Sequence, residues 1–140
     1  MLDILRHIKA IGFDLDGTLY PNNPKISEAI IEVASLKILE KKPDLGSLEN
    51  AREFFIRESG SKESRMKAMV AAGFENPKEV MRDCIVATSF DKFVEKDERV
   101  ADMLKRLSSQ KYIYLVTTSP SEVGSRVLEK IGIDEGVFQR

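Results

Sequence analysis

The sequence has a single cysteine, Cys84, so no disulfide can form within it. Flanked by Ile85 and Val86, that thiol reads as a buried core group, not a reactive one. There is also no excess of charge of either sign. The 22 Lys and Arg against 23 Asp and Glu leave a net charge of -1, which gives no reason to expect nucleic acid or an anionic membrane as partner. No apolar run approaches the roughly 20 residues needed to cross a bilayer. The opening Met1-Leu2-Asp3-Ile4-Leu5-Arg6-His7 has an acid third and no apolar core, unlike a secretory signal. With the unpaired cysteine, this points to a reducing, cytoplasmic setting. Internal repeats and low-complexity segments are absent as well. What remains, 42% apolar and 32% charged residues over 140 positions, is the composition of a soluble globular protein about one ordinary domain long.

One stretch names a chemistry. In Lys9-Ala10-Ile11-Gly12-Phe13-Asp14-Leu15-Asp16-Gly17-Thr18-Leu19-Tyr20 an apolar run ends on two carboxylates spaced i and i+2, followed by a glycine and a hydroxyl. Alternate side chains at a strand end share a side, so Asp14 and Asp16 can converge on one point. Two acids beside a permissive turn suit the handling of a phosphoryl group. The plain alternative is a capped turn, since Asp, Gly and Thr all favour turns.

The rest of the chain frames this stretch. Residues 8–14 read as a buried strand, and Tyr20-Pro21-Asn22-Asn23-Pro24 as a connector. A broad apolar face predicts a helix from Ser27 to Lys41. Ser47 can cap a second helix to about Ser59, with Leu48, Ala51, Phe54, Phe55 and Ile56 inward. Ser61 begins a third, with Met66, Met69 and Val70 on its apolar side and Gly73 closing it. Asn76-Pro77 opens a fourth through Val86. After the loop near 88–96, Asp97 to Ser108 forms an amphipathic helix carrying Val100, Ala101, Met103, Leu104 and Leu107. Tyr112-Ile113-Tyr114-Leu115-Val116 is a second strand, meeting Thr117, Thr118 and Ser119. Ser119-Pro120-Ser121-Glu122 has capping-box form for a helix from Pro120 to Lys130, ended by Gly132. Lone His7 reads as a surface or strand-edge residue. This order is an α/β core interrupted after its first strand by a helical insert.

Phe13-Asp14-Leu15-Asp16-Gly17-Thr18-Leu19-Tyr20 resembles the first motif of the haloacid dehalogenase-like superfamily of phosphatases and phosphotransferases. Ile113-Tyr114-Leu115-Val116-Thr117 is similar to its second motif, and the tyrosine and proline after the first resemble nucleotidase-like members. The resemblance implies an α/β, Rossmann-like parallel-sheet core over residues 1–19 and 95–140, with an inserted helical cap over 20–94. It implies Asp14 as the nucleophile that forms an aspartyl-phosphate. Asp16 would be the general acid and then the base. Thr117 would bind a phosphoryl oxygen, helped by the Thr118 amide and the following helix start. Mg²⁺ would be held by the Asp14 carboxylate and the Asp16 carbonyl oxygen. For Thr117 the bland reading, a β-branched residue closing a strand, stays open.

The same resemblance implies a later lysine and a second acidic motif. Only Lys130 follows Thr117, late in a helix, and Asp134 and Glu135 sit in a helix-exit turn. One unlike charge pair at about 4 Å is worth on the order of 4 kcal/mol at an effective dielectric of about 20. Its loss would slow turnover roughly a thousandfold. The expectation is therefore a Mg²⁺-dependent phosphatase of a small phosphorylated metabolite, represented here by its N-terminal portion, with a core incomplete at the C-terminus. The competing expectation is a non-catalytic domain that binds phosphate or a partner chain. Exposed sheet edges would also invite self-association.

Overall fold

The computed structural model describes residues 7–60 and 64–139. The expected Ser61 helix start and the opening Met1–Arg6 segment lie outside the described residues. Two compact units divide the chain, Met1–Asn23 with Phe90–Arg140, and Pro24–Ser89. The sequence reading drew the inserted segment as 20–94. In the structure Tyr20, Phe90 and Val94 at its margins are buried residues belonging to the first unit.

The first unit is α/β. Strands β1 (Ala10–Phe13) and β2 (Tyr112–Leu115) pair in parallel, with Ala10 opposite Tyr112 and Phe13 opposite Leu115. Both are shorter than their apolar runs, because the chain turns away at the Asp-rich and Thr-rich ends. Pairing continues slightly further, since Tyr112 N donates to Lys9 O and Val116 N to Phe13 O, at 2.9 and 2.8 Å. Ile113 is fully buried, whereas Tyr112, Tyr114 and Val116, pointing the other way by strand alternation, are 59%, 40% and 64% exposed. On the outer side of β2, Gln139 N donates to Ile113 O at 2.7 Å.

Of the helices whose residues lie in this unit, Glu98–Ser108 (here α5) packs on β2, and Ser121–Ile131 (here α6) packs on the short 3-10 turn Phe90–Phe93. Asp97 caps α5 by accepting from Arg99 N, as its position before the apolar face suggests. Of the expected inward residues of α5, Leu104 is buried and Met103 is exposed. Helix α6 buries Val123, Gly124, Val127, Leu128 and Ile131, one stripe at i, i+4 and i+8 spacing.

The second unit is a ring of four helices: α1 (Pro24–Lys41), α2 (Leu48–Ser59), α3 (Arg65–Ala71) and α4 (Pro77–Ala87). Each packs on the next and α4 returns to α1. Ser47 caps α2 as expected, its hydroxyl accepting from Asn50 N at 3.1 Å. Gly73, at φ +82, closes α3, with Phe74 N reaching back to Met69 O. The inward faces differ from the sequence reading at several positions. Met66 and Val70 of α3 are exposed and Ala68, Met69 and Ala72 are buried, while Leu48 and Ile56 of α2 also face solvent. In so short a helix as α3 the apolar residues cover two faces, and Ala68 and Met69 take the inner one. Proline opens α4 as predicted, although Asn76 makes no side-chain cap bond.

Candidate active site

The site lies in the α/β unit, at the carboxyl ends of β1 and β2, where open α/β sheets present their ligand crevice. It is built around a buried residue between two exposed ones. Leu15 is fully buried while Asp14 and Asp16 are exposed on either side of it. Leu15 rests near Gly124 of α6, where a Cβ would come within 3.9 Å of its Cδ2. Its carbonyl accepts from Thr18 N and Leu19 N at 3.3 and 3.0 Å, closing the turn. Apolar burial of Leu15 therefore anchors the loop and leaves both carboxylates outside.

Gly17 makes that turn possible. Its φ is +79, and a Cβ there would lie 2.8 Å from the Asn22 side-chain amide. Only glycine meets both conditions without strain.

The second loop follows β2. Thr117 is half-buried, and its Oγ1 accepts from Ser119 N at 3.0 Å. Ser119 Oγ donates to Asp16 Oδ2 at 2.8 Å, joining positions 103 apart in sequence. From the first loop, the Tyr20 hydroxyl donates to Asp16 Oδ1. Burial pushes the Tyr20 phenol well above its ordinary value, reinforced by the Asp16 hydrogen bond and the charges of Asp16 and Asp14. Thr118 is exposed on the second loop, and the cluster's hydrogen bonds do not run to it. Beside Thr117 and Ser119 opens a cleft of about 300 Å³, lined also by Ser121, Gly124, Ser125 and Glu135.

The capping box is a correction. Ser119 does not cap the helix. Helix α6 starts at Ser121 with Pro120 in the cap position, and the amides of Val123 and Gly124 return to the Pro120 carbonyl at 3.0 and 2.9 Å. The Ser119 hydroxyl lies before the first turn and reaches Asp16 instead. Ser119 and Tyr20 are the site members that sequence reasoning missed. The run of three hydroxyls at Thr117-Thr118-Ser119 was the available signal for one of them, and the four-residue step from Asp16 to Tyr20 for the other.

Lys130 stays outside the cluster, as its helix position implies. It is exposed in the last turn of α6, about 13 Å along the axis from the first turn at 1.5 Å per residue. Asp134 caps the 3-10 turn Glu135–Val137, accepting from Gly136 N at 2.8 Å. Among the described residues, no three His, Cys, Asp or Glu side chains group closely enough to hold a metal. The acids present are nevertheless hard oxygen donors. Mg²⁺ is commonly held by one or two carboxylates together with substrate phosphate and water, and Asp14 with Asp16 fits that donor set.

Parallel strands whose carboxyl ends carry an Asp-x-Asp-Gly turn and a hydroxyl loop, tied together through one carboxylate, define an α/β protein with a carboxylate-and-hydroxyl site. The sequence model of the haloacid dehalogenase-like hydrolases matches residues 8–139, so the chain belongs to that family. No curated protein sequence matches it. Among the described residues no helix is long and apolar enough to cross a membrane.

Proposed function

We propose that this hydrolase is a Mg²⁺-dependent phosphatase of a small phosphorylated metabolite, working through an aspartyl-phosphate in the cytoplasm. The observation that carries the reading is the Ser119–Asp16 hydrogen bond, which draws the loop after β2 onto the Asp-x-Asp loop. A phosphoryl group placed there meets carboxylates from one loop and hydroxyls from the other.

A carboxylate oxygen of Asp14 attacks phosphorus as the bond to the leaving oxygen breaks. Protonated Asp16 gives its proton to that oxygen, and the alcohol departs. Asp16, now ionised, takes a proton from water as the water oxygen attacks the same phosphorus. The bond to Asp14 breaks and inorganic phosphate leaves. The Thr117 hydroxyl and the Thr118 amide donate to the phosphoryl oxygens. Mg²⁺, held by the Asp14 carboxylate and the Asp16 carbonyl oxygen, would neutralise charge between carboxylates and phosphate. The four-helix unit would serve as the cap that excludes water.

A second reading, phosphate or partner binding without turnover, is favoured by the place of Lys130, exposed in the last turn of α6 and away from the carboxylates. Hydrolysis of 4-nitrophenyl phosphate with Mg²⁺, by the chain and by Asp14→Asn, separates the two. Turnover that Asp14→Asn abolishes supports the phosphatase. Turnover that survives it removes Asp14 as nucleophile, and phosphate binding without turnover favours the second reading.

A further inference from the structure

Both oxygens of the Asp16 carboxylate are engaged by hydroxyls, Oδ1 by Tyr20 and Oδ2 by Ser119. Neither hydroxyl belongs to the Asp-x-Asp-Gly-Thr stretch, and each is held in place by other structure. Tyr20 is only 6% exposed, beside Leu19 at 3%, and is bridged to Asp16 through the backbone. Ser119 is fixed by the hydrogen bond its backbone N–H donates to Thr117 Oγ1 and by the start of α6 immediately after it. Asp16 is therefore gripped from two sides by groups that cannot easily follow it if it moves.

The chemistry of the grip matters. Lysine or arginine can only donate, and so would pair well with an ionised carboxylate alone. A hydroxyl donates or accepts. Two hydroxyls can keep a carboxyl in one place while it is protonated and while it is ionised. A group that must first give a proton and then take one needs support in both forms.

We propose that Tyr20 and Ser119 are positioning residues that hold the Asp16 carboxyl against the leaving-group oxygen in both of its protonation states. This rests on Asp16 as the general acid, and the test is arranged to tell the two apart. The discriminating quantity is the dependence of kcat/KM on the leaving group, because kcat/KM reports the steps up to its departure and not the later attack of water. A nitrophenolate leaves with little help, whereas an alkoxide must be protonated as it departs. Steady-state kcat and KM are measured with Mg²⁺ on 4-nitrophenyl phosphate and on a simple alkyl phosphate. The proteins are the wild-type chain, Tyr20→Phe, Ser119→Ala, Ser119→Thr and Asp16→Asn, each checked for a wild-type melting curve.

Asp16→Asn is expected to lower kcat/KM on the alkyl ester by about 10²–10⁴, the usual share of general acid catalysis, and much less on the aryl ester. Tyr20→Phe and Ser119→Ala are expected to show the same selectivity in kcat/KM at about tenfold, and Ser119→Thr to restore most of it. If Asp16→Asn keeps its selectivity while Tyr20→Phe and Ser119→Ala lose nothing, or lose equally on both esters, the positioning roles are overturned. If Asp16→Asn itself loses equally on both, the general-acid reading falls instead. A wild-type chain that turns over neither ester overturns the phosphatase reading, and this inference with it.

Discussion

The helices of the four-helix unit and the strand-end loops of the α/β unit use their hydroxyl groups differently. In the four-helix unit the buried hydroxyls of Ser35 and Thr88 donate to carbonyls four residues back, Ile31 O at 2.6 Å and Cys84 O at 2.8 Å. Those bonds satisfy a polar atom inside its own helix and do nothing else. Ser27 accepts from Arg65 at 2.7 Å and ties α1 to α3 in the same structural sense. In the α/β unit, Tyr20 and Ser119 turn away from the backbone and converge on a carboxylate, one of them across 103 residues of sequence. A helix can satisfy its own hydroxyls locally. In the strand-end loops Thr117 bonds locally, to the Ser119 amide, whereas Tyr20 and Ser119 reach a carboxylate.

If this contrast is sound, substitutions should divide by unit: stability alone in the helices, turnover in the loops. The largest effect is expected at Asp14. Asp14→Asn should lower kcat on 4-nitrophenyl phosphate by at least about a thousandfold, as loss of a nucleophile does, with an unchanged melting temperature. A variant that melts early would place Asp14 among the structural residues and break the comparison.

Next comes the helical core. Phe55 is 1% exposed, and Phe55→Ala should cost about 3–5 kcal/mol in denaturant unfolding, through lost burial and the cavity left behind. A loss below about 1 kcal/mol would mean the ring of helices is not packed as described. Gly17→Ala probes the turn between the two carboxylates. A Cβ at φ +79 costs about 1–2 kcal/mol, and it would also have to displace the Asn22 amide. Both stability and turnover should fall, because this loop must hold its fold and its acids at once.

The smallest effect sharpens the helical side. Burial raises the Cys84 thiol from 9.0 to about 11. The folded state thus favours the neutral thiol. Its stabilising contribution is complete below about 9 and is lost as pH rises through about 11. Denaturant midpoints should decline over that interval in the wild type and decline less in Cys84→Ala. Iodoacetamide labelling at neutral pH should be slow until the chain unfolds.

Much of this was legible in the sequence where local chemistry and tertiary role agree. The strand before Asp14, the Gly17 turn, the Ser47 cap and the Gly73 helix stop follow from residue types whose backbone needs are strong. Two kinds of feature were not legible. Periodicity cannot choose between faces when both are apolar, which is why Met66 and Val70 of α3 face solvent while Ala68 and Met69 are buried. Nor can spacing choose between a local and a distant partner for one hydroxyl. Ser119-Pro120-Ser121-Glu122 satisfies a capping pattern, yet Pro120 takes the cap position and Asp16 takes the serine. That choice depends on β1 and β2 lying side by side, which a one-dimensional pattern does not encode.

The account stands on Asp14 becoming phosphorylated. The direct measurement is acid-quenched mass spectrometry of the chain during turnover of 4-nitrophenyl phosphate with Mg²⁺, with hydroxylamine as a check for an acyl phosphate. It should find a hydroxylamine-labile phosphoryl adduct on the peptide carrying Asp14, absent from Asp14→Asn and accumulating in Asp16→Asn, whose side chain cannot activate water. Phosphate release with no adduct at Asp14, or with an adduct on another residue, would contradict it.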